Sequence, residues 1–400
     1  MDRHAEQPKR GKNTHKIQCP SSSTSNPESE PEEISISCHV PDEIITEILL
    51  RLPVEALLRF RCLSKTWLSL TSNRKFIRSH LVISSNNDVF EHHRVIFAGP
   101  DESSLCPRSP LKQCSIHPEL PKFLSEATDF YPSLELNDTS CPEILGSCEG
   151  LVFVSCSSYY LWNPSIKKSK RLPDLVPREC NFCFSKYVCG YDASIDDYKV
   201  FKISIEGTEA HDTIIEVYSL NTNSWRTIEG FKGDPYENSF CFVSSKLHWT
   251  TCPTFSSVAK IRCLDLTNDT YGEVEQPEFG DGNCFYWSLH ALGGCFGLCC
   301  YHQGYDLRLD IWIMKEYSVK ESWIKVVSVP LDDPRYGYEV DTKPFLVSTD
   351  GKILFKFDVC LAFYNPKHKS QPYPKFDCNM SYSLGLEVYV QSLVLLHDND

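Results

Sequence analysis

The sequence predicts an α+β multidomain protein: a disordered arm, a small all-α domain, and a large all-β domain closed into a β-propeller of about six blades. Three observations carry that expectation. Between residues 40 and 83, apolar residues recur at helical spacing. Beyond residue 84 the apolar runs shorten to strand length and become rich in Val, Ile, Phe, Tyr and Trp. Five similar segments then follow one another at intervals of 46 to 56 residues.

Residues 1–38 read as a disordered arm. "PSSSTSNPESEPEE" is rich in Ser, Pro and Glu and has nothing to bury. "KRGKNTHK" reads as a solvated basic tail in preference to a nuclear-import patch.

The helical domain is expected over residues 39–83. In "PDEIITEILLRL", Ile44, Ile45, Ile48, Leu49 and Leu52 repeat with helical period, and Pro41 or Asp42 suits the first turn. Pro53 stops that helix and suits the first position of the next, "VEALLRFRCL". Ser64 is placed to cap "KTWLSLT", and "NRKFIRSHL" adds a short fourth helix. Short helices that are apolar over more than one stripe cannot shield every leucine among themselves. Part of this surface is therefore expected to face a neighbour. Pro41, Ile44, Ile48, Leu49, Leu52, Pro53, Leu57, Leu58, Cys62, Leu63 and Trp67 form the candidate docking set, with Ile45, Phe60 and Leu68 read as internal.

The β-domain is expected over residues 84–400. Its repeat is seen by comparing "YYLWNPSIKKSKRLP", "IIEVYSLNTNSWRTI", "IRCLDLTNDTYGEVEQP", "LDIWIMKEYSVKESWIKVVSVP" and "LAFYNPKHKSQPYP". With Trp162, Tyr218, Leu264, Trp312 and Tyr364 as equivalent anchors, the spacings are 56, 46, 48 and 52. A repeat of about 50 residues carrying several strands has the length of a kelch-type blade. The last run, "LEVYVQSLVLL", is placed to pair with the first blade and close the ring. A two-sheet β-sandwich of the same strands is the competing architecture. Residues 98–143 are the least regular part and read as an insertion in the first repeat.

Charge and cysteine usage narrow the function. The chain carries 40 basic and 53 acidic residues, a net charge of −13, and residues 84–400 hold 28 basic and 43 acidic groups. A large acidic domain repels nucleic acid and anionic membrane, so neither is expected as a partner. Residues 1–38 hold no apolar run, and "ALGGCFGLCC" and "VYVQSLVLL" are too short to cross a bilayer. The expectation is a soluble chain without a secretory signal, in the cytoplasm or nucleus. There most of the 20 cysteines are reduced, buried thiols, and the N-x-S/T triplets at Asn137, Asn268 and Asn379 carry no sugar.

Candidate chemistry is sparse. "CNFC" (Cys180, Cys183) with Cys189 nearby is half a zinc spacing without a second pair, and Cys295, Cys299 and Cys300 lie in a strand-like run. No phosphate loop, HExxH or GxSxG appears, and His92, His93 and His248 have no partner that spacing identifies. No catalytic residue, cofactor or metal is expected. Trp162, Trp225, Trp249, Trp312 and Trp323 read as blade packing in preference to a groove lining.

The segment "VPDEIITEILLRLPVEALLRFRCLSKTWLSLTSNRKFIRSHL" resembles a plant-type F-box, through its "LP", its paired leucines and its "RFRCLSKTW" block. Val40 departs mildly from the leucine more frequent there, and Cys62 is of a usual type. The motifs "GSCEGLVFVS…LWNPS", "GYDASIDDYKVFKI", "EVYSLNTNSWR", "LDLTNDTY", "GGCFGLCC", "DIWIMKEYSVKESW" and "YVQSLVLL" resemble the F-box-associated, kelch-like domain of a large plant family. The resemblance implies a non-catalytic subunit of an SCF-type (Skp–cullin–F-box) ubiquitin ligase. Its helices would dock on a Skp-type adaptor, and through it on a cullin and a RING protein, while the β-domain holds a target protein for ubiquitination and degradation. Proximity of the target's lysines to the charged conjugating enzyme would supply the acceleration. Two alternatives remain at this point: an adaptor-binding scaffold that works outside degradation, and a carbohydrate-binding or catalytic propeller. The acidic balance argues against a phosphorylated target and for one with a neutral or basic surface.

Overall fold

The computed structural model describes residues 40–87, 90–98, 111–116, 128–130, 142–175, 183–206, 212–228, 231, 235–251, 260–279, 284–302, 308–330, 342–348, 351–357, 360–365, 367 and 385–396. The expected N-terminal arm, most of the 98–143 insertion and the first cysteine of "CNFC" lie outside these residues.

Four helices come first: α1 (Asp42–Leu49), α2 (Val54–Arg61), α3 (Lys65–Thr71) and α4 (Arg74–Ser85). Asp42 opens the first turn of α1 with Pro41 at its N-cap, as expected, while Pro53 stands one residue earlier than expected, at the N-cap of α2, where a missing N–H costs the helix nothing. Ser64 Oγ accepts from Trp67 N at 3.1 Å, the expected cap of α3. Asn73 Oδ1 accepts from Lys75 N and Phe76 N at 2.9 and 3.3 Å and starts α4, which runs 12 residues and is longer than the short helix expected.

Among the described residues, strands follow in six separate sheets. The first contains β1 (His93–Ala98), β2 (Leu111–Ser115) and β3 (Thr128–Phe130). The second joins β4 (Glu143–Cys148), β5 (Leu151–Ser155), β6 (Tyr159–Asn163) and β7 (Lys168–Arg171). The third joins β8 (Cys183–Asp192), β9 (Asp197–Glu206), β10 (Asp212–Ser219) and β11 (Ser224–Ile228). The fourth joins β12 (Pro235–Val243), β13 (Lys246–Thr251), β14 (Lys260–Asp265) and β15 (Thr270–Val274). The fifth joins β16 (Cys284–Leu292), β17 (Cys295–His302), β18 (Arg308–Met314) and β19 (Trp323–Pro330). The sixth joins β20 (Thr342–Val347), β21 (Ile353–Phe357) and β22 (Cys360–Tyr364). All pairings are antiparallel between neighbours. The five anchors Trp162, Tyr218, Leu264, Trp312 and Tyr364 each lie on the third strand of their sheet.

The last strand, β23 (Leu386–Val390), returns to the first sheet and pairs antiparallel with β1, Val388 opposite Val95. The ring is thus closed by strands from both ends of the propeller. Leu354 of the sixth sheet shares a buried cluster with Val95 and Val388 of the first, so the two sheets flanking the seam pack directly. A β-propeller is the architecture, and the two-sheet sandwich is excluded.

Tryptophans fix one blade to the next. Trp225 Nε1 donates to the Pro173 carbonyl and Trp323 Nε1 to the Glu275 carbonyl, each at 2.8 Å. Trp162, Trp249 and Trp323 are buried, and Trp225 and Trp312 half-buried, so the tryptophans are packing residues. Cys299 and Cys300 of "CFGLCC" are buried in β17 with Cys295 half-buried beside them. Nine of the described cysteines are free thiols, whereas Cys300 is held in a disulfide.

Candidate adaptor-docking face

The helices do not stand apart from the propeller. Leu49, Leu50, Val54, Leu57, Phe76, Ile77 and Leu81 form one buried cluster with Leu151, Phe153, Tyr198 and Val200 of the blades and with Leu393, Val394 and Leu396 beyond β23. Leu49 and Leu57 are 1% and 0% exposed. These two members of the expected docking set are therefore core residues, because the C-terminal segment and the second and third blades cover the side of the helices they occupy. Charging Leu57 would test folding, not docking.

Polar contacts trace the same joint. Arg74 pairs with Asp196 and donates from Nη2 to the Asp196 carbonyl at 2.8 Å. Arg78 lies 3.8 Å over the Tyr191 ring and 3.4 Å from Glu149. Gln391 donates to Glu55 from its side chain and to the His92 carbonyl from its backbone, the latter at 2.8 Å. Glu149 and Asp196 stand in the turns that follow the first strands of their blades, each at positive φ (45° and 50°). The helices therefore sit on the face of the propeller that bears its tight turns.

Among the described residues, other apolar side chains of the helical domain are left uncovered. Ile44 and Ile48 are 51% and 54% exposed, one turn apart on α1, with Val40 one turn before them. Leu63, between α2 and α3, is 71% exposed. Pro41, Pro53 and Cys62 are exposed as well, and Leu52, Leu58 and Trp67 are half-buried. Of the residues read as internal, Ile45 and Phe60 are half-buried against the core, but Leu68 is exposed. It belongs to the free face, a member that helical spacing alone did not separate from its neighbours.

This face is held rigid from behind. Phe60 and Trp67 meet edge to face, with ring centroids 5.0 Å apart, and join α2 to α3. Arg61 donates from Nε to Thr71 Oγ1 at 3.2 Å and from Nη2 to the Thr71 carbonyl at 2.9 Å. Burial lowers the Arg61 pKa, and the guanidinium still stays charged at any physiological pH. Glu47 and Arg51 pair at 2.6 Å on exposed α1, a contact of small energetic weight. Apolar side chains on a surface braced in this way are suited to binding a protein.

Burial governs three titratable groups of the propeller, Cys189, Cys241 and His248. Burial pushes the thiols of Cys189 and Cys241 up to about 12, so neither is a thiolate at neutral pH. His248 is buried, with Nε2 2.7 Å from the Tyr317 hydroxyl, and burial lowers its pKa to about 4. Among the described residues, no group of three or more His, Cys, Asp or Glu is placed to hold a metal ion.

Comparison with known proteins agrees with both halves. Residues 37–79 match the F-box domain, and residues 115–396 match the F-box associated beta propeller domain. The Arabidopsis thaliana F-box/kelch-repeat protein At3g23880 is 31% identical over 374 residues, which covers 90% of this chain and 96% of that protein. F-box protein CPR1 of the same plant is 30% identical over 391 residues, covering 89% of each. The chain therefore belongs to the plant F-box proteins that join an N-terminal F-box to an F-box-associated β-propeller.

Proposed function

We propose that the chain is the substrate-recognition subunit of an SCF-type ubiquitin ligase, without catalytic activity of its own. The F-box docks on a Skp-type adaptor, which connects it to a cullin and a RING protein, and the propeller holds a target protein for ubiquitination and proteasomal degradation. The observation that carries this reading is the exposure of Val40, Ile44, Ile48, Leu63 and Leu68 on a helical domain whose other side packs on the propeller. Isolated apolar residues are ordinary on surfaces, whereas five large ones exposed on one small helical domain support a protein interface. Fully burying each such side chain is worth roughly 1.5–3 kcal/mol, so a handful supports firm docking.

The helices occupy the tight-turn face, and the target is assigned to the opposite face of the propeller. The shared core makes the joint stiff, which fixes the distance between target and adaptor and so favours the proximity effect on which transfer depends. The acidic balance of residues 84–400 assigns a target surface that is neutral or basic and needs no phosphorylation. The test is adaptor capture from purified components, together with target abundance with and without a proteasome inhibitor. Capture of the adaptor with target levels indifferent to the inhibitor would replace degradation by a scaffold role.

A further inference from the structure

Three buried histidines gather at one seam, where the helices meet the first blade. His80 of α4 is 0% exposed, and His92 and His93, at the start of β1, are 7% and 1% exposed. The rings of His80 and His92 meet edge to face with centroids 6.1 Å apart, and Phe76 and Phe90 pack against His80 and His93. His80 Nε2 donates to the Leu52 carbonyl at 2.8 Å, which ties α4 to the corner between α1 and α2. Its Nδ1 stands 3.5 Å from Ser84 Oγ. The His92 carbonyl accepts from Gln391 N at 2.8 Å, and the Gln391 side chain donates to Glu55 of α2. Helices, first blade and C-terminal segment therefore meet around these rings.

The surroundings hold the rings neutral. Burial acts first on all three, lowering each pKa below the ordinary 6.5. His92 faces Glu91, Arg94 and Glu55; the two carboxylates oppose the shift and Arg94 adds to it. The charge of His92 adds to the shifts of His80 and His93, so the rings also resist being charged together. On β23, Tyr389 lies opposite Arg94, and burial raises its pKa, so it stays neutral. Among the described residues, His93 Nδ1 is buried with no hydrogen-bond partner, and a proton placed there would find no acceptor.

We propose that this histidine cluster is an acid-sensitive latch, whose protonation parts α4 and the segment after β23 from β1 ahead of any opening of the other blades. A charged imidazole is favoured only where water reaches it, so protons select the open seam. The sign follows from the lowered pKa values: the latch is closed above about pH 6.5 and loosens as pH falls below it. The inference does not depend on adaptor docking. On the ligase reading, the same opening loosens the joint that fixes the distance between adaptor and target.

The experiment is hydrogen exchange of the full chain at pH 7.5, 6.5 and 5.5, followed peptide by peptide and corrected for the pH dependence of free amides. Peptides from α4 and from residues 391–394 are compared with peptides from β9 and β10, which carry no histidine. The opening constant at the seam should rise at least about tenfold between pH 7.5 and 5.5, and clearly more than in β9 and β10. No rise at the seam, or a rise of equal size in β9 and β10, overturns the proposal, and the unaltered chain alone decides this. His80→Gln, which keeps an amide N–H for the Leu52 carbonyl, and His92→Gln should each reduce the rise. An unreduced rise in both folded variants overturns the assignment to these rings.

Discussion

Asn163, at the end of the third strand of the second blade, holds Ser392 from the far end of the chain. Its amide Nδ2 donates to Ser392 Oγ at 2.9 Å and to the Ser392 carbonyl at 3.2 Å, and it reaches the Val394 carbonyl at 2.9 Å. Ser392 Oγ in turn donates to the Gly150 carbonyl at 3.2 Å. These bonds seat Leu393, Val394 and Leu396 in the core shared by the F-box and the propeller. The segment that closes the ring is thus also the strap that fastens the F-box to it.

Replacing Asn163 by Leu should leave the Ser392 and Val394 carbonyls buried with one partner fewer, costing about 1–3 kcal/mol. Leu393, 0% exposed, should cost about 2–5 kcal/mol on replacement by Ala. Urea denaturation read both by an F-box probe at Trp67 and by far-ultraviolet signal checks this. One coincident transition, moved to lower urea in both variants, is expected. Separate transitions in the unaltered chain would show that the two parts do not share a core.

Gly150 faces the same strap. Its φ is +83°, and a Cβ there would fall 2.3 Å from Ser392 Oγ and 2.4 Å from Ser392 Cβ. Gly150→Ala therefore combines backbone strain with displacement of the strap, and a loss of stability on the order of 1–3 kcal/mol is expected. Gly293, at φ +56° with nothing near its Cβ, is the comparison: Gly293→Ala should cost the conformational part alone. Equal losses at the two sites, read from thermal midpoints, would remove the steric argument.

Acid should loosen the structure through buried histidines. Burial lowers the pKa of His93 and of His248 to about 4 each, against an ordinary value of 6.5. The unfolded chain therefore takes up protons as pH falls through about 6.5, while the folded chain does not until about 4. Stability is fully present above that window and declines within it, by up to about 1.4 kcal/mol per pH unit for each such histidine. Denaturation midpoints at pH 7.5, 6 and 5 check the sign. His93→Gln should flatten the slope; a slope that stays the same would remove His93 from the account.

Much of this was legible in the amino acids. Ser64 shows as a cap because a short hydroxyl side chain precedes an apolar helix. The anchors Trp162, Tyr218, Leu264, Trp312 and Tyr364 show the blade repeat because each fills the equivalent place on a third strand. The docking set was legible only in part. Leu49 and Ile48 are adjacent on α1 and equally apolar, yet one is 1% and the other 54% exposed. What separates them is the shared core, which joins Leu49 to the other helices, the blades and the distant Leu393, Val394 and Leu396 and leaves Ile48 outside it. Helical period identifies stripes; it does not say which of two neighbours covers each. The surplus apolar surface has two such neighbours, the protein's own propeller and the partner assigned to the free face.

The central claim is that this free face binds the adaptor, and it is tested most directly on α1. Ile44→Asp with Ile48→Asp places two charges on residues that touch no core, so the thermal midpoint should stay within a few degrees of the unaltered protein. Affinity for a purified Skp-type adaptor should fall on the order of 100-fold or more, since two apolar contacts of roughly 1.5–3 kcal/mol each are lost. A folded double variant that binds the adaptor as tightly as the unaltered chain would contradict the account.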